Sequence, residues 1–158
     1  MKKILFLDID GVLCSMRCRH MNDQGYDPVA VEWVKVFCSK HGFNVVISSS
    51  RKIHQPTLQN FMEETGLIDC VLHPESNLKR SCTPNMEQHR GNEIHSFIQS
   101  LDSPDVLMVV LDDIISDMDI LKEQYPDNLF ISQTYFADGL VSRNMDEIVN
   151  FVRDFKTR

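Results

Sequence analysis

The sequence predicts an α/β fold in which helices cover both faces of a central, mainly parallel sheet. Two largely apolar segments, residues 3–8 and 106–111, have the continuous hydrophobic character of buried central strands. Strand-like and helix-like segments alternate along the rest of the chain, and this alternation is typical of parallel sheets built from β-α-β units. We therefore expect a three-layer α/β/α sandwich that binds ligands beyond the carboxyl ends of its strands.

The first half of the chain is predicted to contain three strands and two helices. Asp27 and Pro28 suit the N-cap and the first position of a helix, and Gly42 follows the end of that helix. A second helix is expected from about Pro56 until Gly66 stops it. The strands are expected at residues 3–8, 43–47 and 69–73.

The second half is predicted to begin with an irregular surface loop at residues 74–89, which are rich in Pro, Ser, Asn and charged residues. Apolar residues at helical spacing predict a helix over residues 90–101. The remaining predicted elements are a strand at 106–111, a helix near 116–124, a strand at 128–132 and a closing helix at 145–155.

Length and composition favour one folded domain. The chain has 158 residues, of which 42% are hydrophobic, so it can bury a substantial core. We expect a single, monomeric domain over residues 1–158. Two possibilities stay open for Arg158, which is either the natural end or the boundary of a longer protein.

Composition also bears on location and partners. The five cysteines form an odd set without C-x-x-C spacing, which argues against a disulfide framework or a structural zinc site. No segment has the roughly 20 apolar residues of a membrane span, and we expect a soluble, cytoplasmic protein with reduced thiols and no membrane segment. A net charge of −7 disfavours stable, non-specific binding to nucleic acid.

The first predicted strand delivers two carboxylates onto a glycine turn. Asp8 and Asp10 are one residue apart, so they point the same way in an extended chain, and Gly11 permits a sharp bend after them. Paired carboxylates repel each other unless a cation joins them, and Mg²⁺ prefers such oxygen ligands together with a substrate phosphate. Acidic residues after strands also serve in turns and caps, so the motif needs further polar residues to indicate a site.

Those further residues follow two other predicted strands. Ser48 comes directly after the second predicted strand, and Asp112 with Asp113 follows the fourth. Because the carboxyl ends of parallel strands lie at one edge of the sheet, we expect these side chains to meet Asp8 and Asp10 in one crevice. The constellation predicts phosphoryl transfer, a reaction that depends mainly on charge neutralisation and positioning.

These residues resemble the motifs of the haloacid dehalogenase-like (HAD) hydrolases. Residues 8–12, Asp-Ile-Asp-Gly-Val, are similar to the first motif, Ser48 to the second, and the pair Asp112-Asp113 to the fourth. The resemblance covers essentially the whole chain. It implies a Rossmann-like HAD core.

The third motif of the family is usually a lysine, and three residues of this chain are candidates for that position. Arg90 is the best match, similar to a subgroup of small HAD domains in RNA-repair proteins, while Lys79 and Arg80 stay open as alternatives. Asp117 is expected either to be a further acidic residue of the site or to lie at the N-terminus of a helix.

The resemblance implies a role for each residue. Asp8 would be the nucleophile that forms an aspartyl-phosphate, and Asp10 the acid/base that protonates the leaving oxygen and then activates water. Ser48 would hydrogen-bond the transferring phosphoryl group, beside the cationic Arg90. Mg²⁺ would be held by Asp8, Asp10, Asp112 and Asp113, and the substrate by Gly11, Ser49 and Arg51.

The resemblance also narrows the reaction class and the substrate. Dehalogenases of the family generally lack a second acid at the position of Asp10, and ion-pumping ATPases carry a threonine there, so Asp10 indicates a phosphatase. Neither residues 14–26 nor residues 52–89 are long enough to fold into a full lid domain. We therefore expect an open, capless site for a macromolecular phosphosubstrate, either a phosphoprotein, including phosphotyrosine, or a polynucleotide end. A small-molecule nucleotidase is the alternative.

Two other classes of function stay open. Phosphoacceptor signalling domains also combine an aspartate, an acidic pair and Mg²⁺, but they place the acidic pair after the first strand, whereas here Asp8 and Asp10 come first. A non-catalytic interaction module that has kept the fold is disfavoured because both of these acids are intact.

Overall fold

A computed structural model describes residues 1–86 and 89–158 of the chain. In this part of the chain, four strands form one parallel sheet in the order β2-β1-β3-β4. The strands are β1 (Lys2–Leu7), β2 (Asn44–Ile47), β3 (Val106–Asp112) and β4 (Leu129–Gln133). The predicted α/β class with a central parallel sheet is thus confirmed.

Five α-helices connect or follow the strands in the described residues. They are α1 (Pro28–His41), α2 (Gln55–Thr65), α3 (Arg90–Gln99), α4 (Asp119–Gln124) and α5 (Ser142–Lys156). As predicted, Asp27 caps α1, because its carboxylate accepts hydrogen bonds from the backbone N–H groups of Val29 and Ala30. Gly42 ends α1 in the left-handed conformation, with φ of 73°.

The core lies on both faces of the sheet because neighbouring strand residues point in opposite directions. On one face, Leu5 and Val109 belong to an apolar cluster with buried residues of α1, α2 and α5. On the other face, Phe6 and Val110 pack with buried residues of α3 and α4. The result is three layers, and every residue of β3 is buried.

The strand predicted at residues 69–73 is wrong. Gly66 ends α2 with φ of 75°, and a short 3₁₀ turn follows at Leu67–Cys70. Val71 then makes a single parallel bridge to Val45 of β2. Val71, one of the apolar residues on which the strand prediction rested, is buried in the core, as is Leu67 at the start of the turn.

The predicted loop at residues 74–89 is partly regular. It contains a 3₁₀ turn at Leu78–Ser81, and Cys82 makes a second isolated bridge, to Ile47. The two bridges protect the outer edge of β2, which would otherwise expose unpaired backbone groups. Residues 87 and 88, also part of that prediction, lie outside the described residues.

Within residues 1–86 and 89–158, no helix combines the length and the apolar content that crossing a bilayer requires.

Candidate active site

The site lies at the carboxyl edge of the sheet. Asp8 follows β1, Ser48 follows β2, and Asp112 is the last residue of β3. Since β1 lies between β2 and β3 and all three strands are parallel, their carboxyl ends converge. The strand order therefore brings together three side chains that are far apart in the sequence.

Three carboxylates form a cluster at this edge. One oxygen each from Asp8, Asp112 and Asp113 lies within 4.8 Å of the others. Asp8 is 4% exposed and Asp112 is fully buried, whereas Asp113 is partly accessible. This is an all-oxygen donor set of the kind that Mg²⁺ prefers, so the residues present fit a magnesium ion.

The turn at Gly11 depends on the absence of a side chain. Gly11 has φ of 81°, and a Cβ atom there would lie 2.2 Å from Oδ2 of Asp113. The hydroxyl of Thr134 donates a hydrogen bond of 2.7 Å to the Gly11 carbonyl oxygen and so holds the turn in place. Gly11 thus allows the fourth-motif acid to approach the first motif.

Arg90 connects the ends of three strands. Its Nη1 atom lies 3.0 Å from Oδ1 of Asp8 and 2.8 Å from Oδ2 of Asp112, and it donates a 2.6 Å hydrogen bond to the Ser48 carbonyl oxygen. The backbone N–H of Arg90 donates to Oδ2 of Asp117 at 2.7 Å. Asp117 therefore anchors the start of α3, which explains how Arg90 is positioned.

Lys79 and Arg80, the alternative third-motif cations, are the two exposed residues of the 3₁₀ turn at Leu78–Ser81. Neither makes an ion pair with a carboxylate of residues 1–86 or 89–158. Of the three candidates, the structure places Arg90 against the acidic cluster.

The acidic cluster is short of positive charge. Burial and the nearby Asp112 carboxylate raise the pKa of Asp8 to about 8, although the Arg90 guanidinium and the Ile9 N–H act in the opposite direction. Burial also raises the pKa of Asp112 to about 6, against the lowering effect of Arg90 and of the Ile114 N–H. One guanidinium does not balance three carboxylates, so a divalent cation at this position would relieve their repulsion.

Ser48 and Ser49 differ in how their side chains are used. The Ser48 hydroxyl oxygen is buried and has no hydrogen-bond partner among the residues that the structure describes. The Ser49 hydroxyl oxygen accepts a 3.2 Å hydrogen bond from the Arg51 N–H and caps the 3₁₀ turn at Ser50–Ile53. A buried hydroxyl without a partner costs about 1–3 kcal/mol, a cost that a bound phosphoryl oxygen would remove.

Asp10 lies apart from the three-carboxylate cluster. Arg51 binds its carboxylate with Nε and Nη2, and the Arg51 guanidinium also lies 5.2 Å from the centre of the Phe61 ring. The Asp10 side chain is about half exposed, at 48%. The structure therefore divides the predicted acids into a cluster of three, of which Asp8 and Asp112 are buried, and a more accessible fourth that is paired with an arginine.

Sequence reasoning missed Thr134, which supports the glycine turn. Thr134 directly follows β4, at the same edge of the sheet as the acids. Ser48 and Asp112 were predicted as site residues because each is a polar residue at the carboxyl end of a strand. The same rule, which we call the strand-end rule, would have identified Thr134 as well.

The fold and the acidic site together define a phosphatase-type hydrolase with an α/β core. A family model described as the HAD domain in Swiss Army Knife RNA repair proteins matches residues 4–145. The chain therefore belongs to this family, and the resemblance inferred from the sequence motifs is confirmed. HAD domains are generally Mg²⁺-dependent. No curated protein and no solved structure gave a significant match.

Proposed function

We propose that the chain is a Mg²⁺-dependent phosphomonoesterase that transfers a phosphoryl group first to Asp8 and then to water. The observation that supports this most strongly is the convergence of Asp8, Asp112 and Asp113 on one point, with Arg90 bound to two of them. A nucleophile, a metal-binding set and a fixed cation are the parts that phosphoryl transfer requires.

Asp8, Asp112 and Asp113 would hold the magnesium ion through their carboxylate oxygens. The bound ion would neutralise negative charge on the phosphoryl group as it is transferred. The sequence suggested Asp10 as a fourth ligand, but its carboxylate is paired with Arg51. We therefore assign Asp10 to proton transfer.

In the first step, the Asp8 carboxylate attacks phosphorus while the bond from phosphorus to the leaving oxygen breaks. That oxygen takes a proton from Asp10, so an alcohol leaves and an aspartyl-phosphate stays on Asp8. In the second step, Asp10 removes a proton from water, and the water oxygen attacks phosphorus. Inorganic phosphate leaves and the Asp8 carboxylate is restored, with Asp10 protonated again.

Three other residues bind the phosphoryl group or position the two catalytic carboxylates. Arg90 fixes the orientation of Asp8 and favours its ionised form through the 3.0 Å contact. The Ser48 hydroxyl, which has no hydrogen-bond partner within residues 1–86 and 89–158, is available to donate a hydrogen bond to a phosphoryl oxygen. Arg51, which the sequence suggested as a substrate-binding residue, holds the Asp10 carboxylate through two hydrogen bonds and so positions it for proton transfer.

The substrate we favour is the terminal phosphate of a polynucleotide. The family is named for RNA repair proteins, and residues 14–26 and 52–86 contain only α2 and short 3₁₀ turns as regular helices. Such segments leave the carboxyl edge of the sheet accessible to a large substrate.

Phosphate release from p-nitrophenyl phosphate tests the reaction. The wild type is expected to release phosphate with Mg²⁺ and to stop when EDTA removes the metal, and Asp8→Asn is expected to be inactive in both conditions. Asp119→Asn is the matched control, because Asp119 is 81% exposed on α4 and the chemical change is the same. Equal activity of Asp8→Asn and wild type would exclude the mechanism.

A substrate panel then identifies the class. It compares oligonucleotides phosphorylated at the 3′ or the 5′ end, mononucleotides, sugar phosphates and phosphopeptides, including phosphotyrosine, at one Mg²⁺ concentration. The highest kcat/KM is expected for an oligonucleotide end. Preference for a mononucleotide or a phosphopeptide would exclude the polynucleotide assignment and leave the phosphatase assignment standing.

A further inference from the structure

A groove leads away from the acidic site along the 3₁₀ turn Ser50–Ile53. Its first part is a cavity of about 370 Å³ whose lining includes Ser50, Arg90 and Asp117. Its second part is a cavity of about 570 Å³ whose lining includes Lys79 and Arg80. The two cavities share three lining residues, Lys52, Ile53 and Asn85. We call these two adjacent cavities together the lateral groove.

The far end of the lateral groove carries positive charge. Lys79 and Arg80 are both exposed, and neither forms an ion pair with a carboxylate in the described part of the chain. Arg80 donates a 3.1 Å hydrogen bond to the neutral Ser76 hydroxyl. In a chain of net charge −7, two adjacent exposed cations without such an acidic partner are available to an anionic ligand.

The middle of the lateral groove is fixed and partly apolar. The Lys52 ammonium binds the Glu93 carboxylate and lies 3.0 Å from the Thr83 hydroxyl, so its charge is neutralised within the wall. Glu93 also accepts a 3.0 Å hydrogen bond from the Met86 N–H, which ties a second segment to the wall. The Ile53 side chain is 69% exposed and offers an apolar contact at the rim.

The lateral groove therefore begins beside Arg90 at the proposed reaction site, carries the exposed cations Lys79 and Arg80 at its far end, and has an apolar contact between the two. A single nucleic-acid strand has the complementary pattern, since phosphates alternate with nucleosides that have apolar faces. A phosphopeptide has no second phosphate at a regular distance from the reacting one. The charge pattern thus favours a polynucleotide over a peptide.

We propose that the lateral groove binds the strand whose terminal phosphate reacts at Asp8. An internucleotide phosphate contacts Lys79 and Arg80, and the intervening nucleoside lies against Ile53. The inference rests on the proposed function, because the groove is given a role in presenting the substrate of that same site. It adds a surface that distinguishes a strand from a small phosphate ester.

The test compares substrates of different length in the double variant Lys79→Gln/Arg80→Gln. The ratio of kcat/KM for a phosphorylated oligonucleotide to kcat/KM for p-nitrophenyl phosphate is expected to fall about tenfold, because a phosphate loses its cations. The slope of log KM against log salt for the oligonucleotide is expected to shrink by about 0.7 for the lost phosphate contact. Circular dichroism melting checks that the variant is folded.

The matched control is Lys122→Gln/Arg153→Gln, which removes two exposed cations from α4 and α5. It is expected to leave the ratio at the wild-type value. Equal falls in both double variants would show a general charge effect and overturn the proposal. An unchanged ratio in Lys79→Gln/Arg80→Gln would overturn it as well, and a fall for phosphopeptides of the same size would assign the groove to a peptide.

A measurement of oligonucleotide affinity tests the lateral groove independently of the proposed phosphatase activity. Fluorescence anisotropy of a labelled, terminally phosphorylated oligonucleotide is measured with Asp8→Asn, alone and combined with Lys79→Gln/Arg80→Gln. Weaker binding in the combined variant is expected, whether or not the wild type hydrolyses any ester. Equal affinity in the two proteins, or no binding to either, would overturn the lateral groove as a strand-binding surface.

Discussion

Arg51 holds the Asp10 carboxylate through two hydrogen bonds, from Nε to Oδ2 at 3.0 Å and from Nη2 to Oδ1 at 2.7 Å. The geometry needs the planar guanidinium, because a lysine ammonium cannot make a bidentate contact of this kind. Arg51 thereby fixes the carboxylate that we assign to proton transfer.

Arg51→Lys is expected to lower kcat/KM for alkyl phosphates by about tenfold or more, since one bidentate charged contact is lost. The reduction is expected to be much smaller when the change is made in an Asp10→Asn background, because the partner is already absent. A double-mutant cycle on kcat/KM measures this coupling. Independent, additive effects of the two substitutions would contradict the pairing as a functional contact.

Asp10→Asn is expected to affect substrates according to their leaving group. For an alkyl phosphate, loss of the proton donor is expected to lower kcat by about 10²–10⁴-fold. For p-nitrophenyl phosphate the loss in the first step is expected to be smaller, because p-nitrophenolate leaves without protonation. Single-turnover rates for the two esters provide the comparison, and equal losses would exclude Asp10 as the general acid.

Arg90→Gln is expected to destabilise the metal-free protein by about 2 kcal/mol, since charged hydrogen bonds to Asp8, Asp112 and the Ser48 carbonyl are lost. Denaturant unfolding in EDTA measures the free energy. Arg143→Gln is the control, because Arg143 is exposed and pairs with Glu147 within α5. A loss of stability in Arg90→Gln no larger than in this control would contradict the role given to Arg90.

The metal-free protein is expected to lose stability as pH rises. The pKa of Asp8 is raised from its ordinary 3.8 to about 8, and that of Asp112 to about 6. Between pH 3.8 and pH 8 the folded state therefore retains protons that the unfolded state has released. The free energy of unfolding falls with rising pH wherever the folded state binds more protons.

Urea unfolding in EDTA at a series of pH values through this window measures the effect. The slope is expected to be shallower in Asp8→Asn, which has no proton to lose at that position. Adding Mg²⁺ at the upper end of the window is expected to restore stability to the wild type. A free energy of unfolding that stays constant or increases across the window would contradict the buried acidic cluster.

The buried pair of Lys52 and Glu93 gives a prediction about stability. Lys52→Met is expected to cost about 3–5 kcal/mol, because it leaves the Glu93 carboxylate buried without its partner. The double variant Lys52→Met/Glu93→Leu is expected to recover most of that loss, since no unpaired charge remains. Denaturant unfolding of the three proteins tests this, and a double variant less stable than Lys52→Met would contradict it.

The strand-end rule explains why much of the site was predictable. Asp8, Ser48 and Asp112 each end an apolar strand, so the parallel topology alone was enough to place them at one edge. The division of the acids was not predictable. It depends on where the 3₁₀ turn Ser50–Ile53 places Arg51 and on where the start of α3 places Arg90.

The wrong prediction at residues 69–73 has a similar origin. A short apolar segment is compatible with either a strand or a turn anchored in the core, and local sequence does not separate the two. Here the left-handed Gly66 directs the chain into the turn at Leu67–Cys70, and both Leu67 and the following Val71 are buried. Tertiary packing therefore decided the structure of this segment.

The proposed mechanism requires that Asp8 becomes phosphorylated during turnover. Rapid acid quench of a single turnover with radiolabelled substrate, followed by peptide mapping, detects the phosphorylated residue. We expect label on the peptide that contains Asp8, and borohydride reduction of that acyl phosphate is expected to convert residue 8 to homoserine. Release of phosphate without any covalent label at Asp8 throughout the turnover would contradict the account.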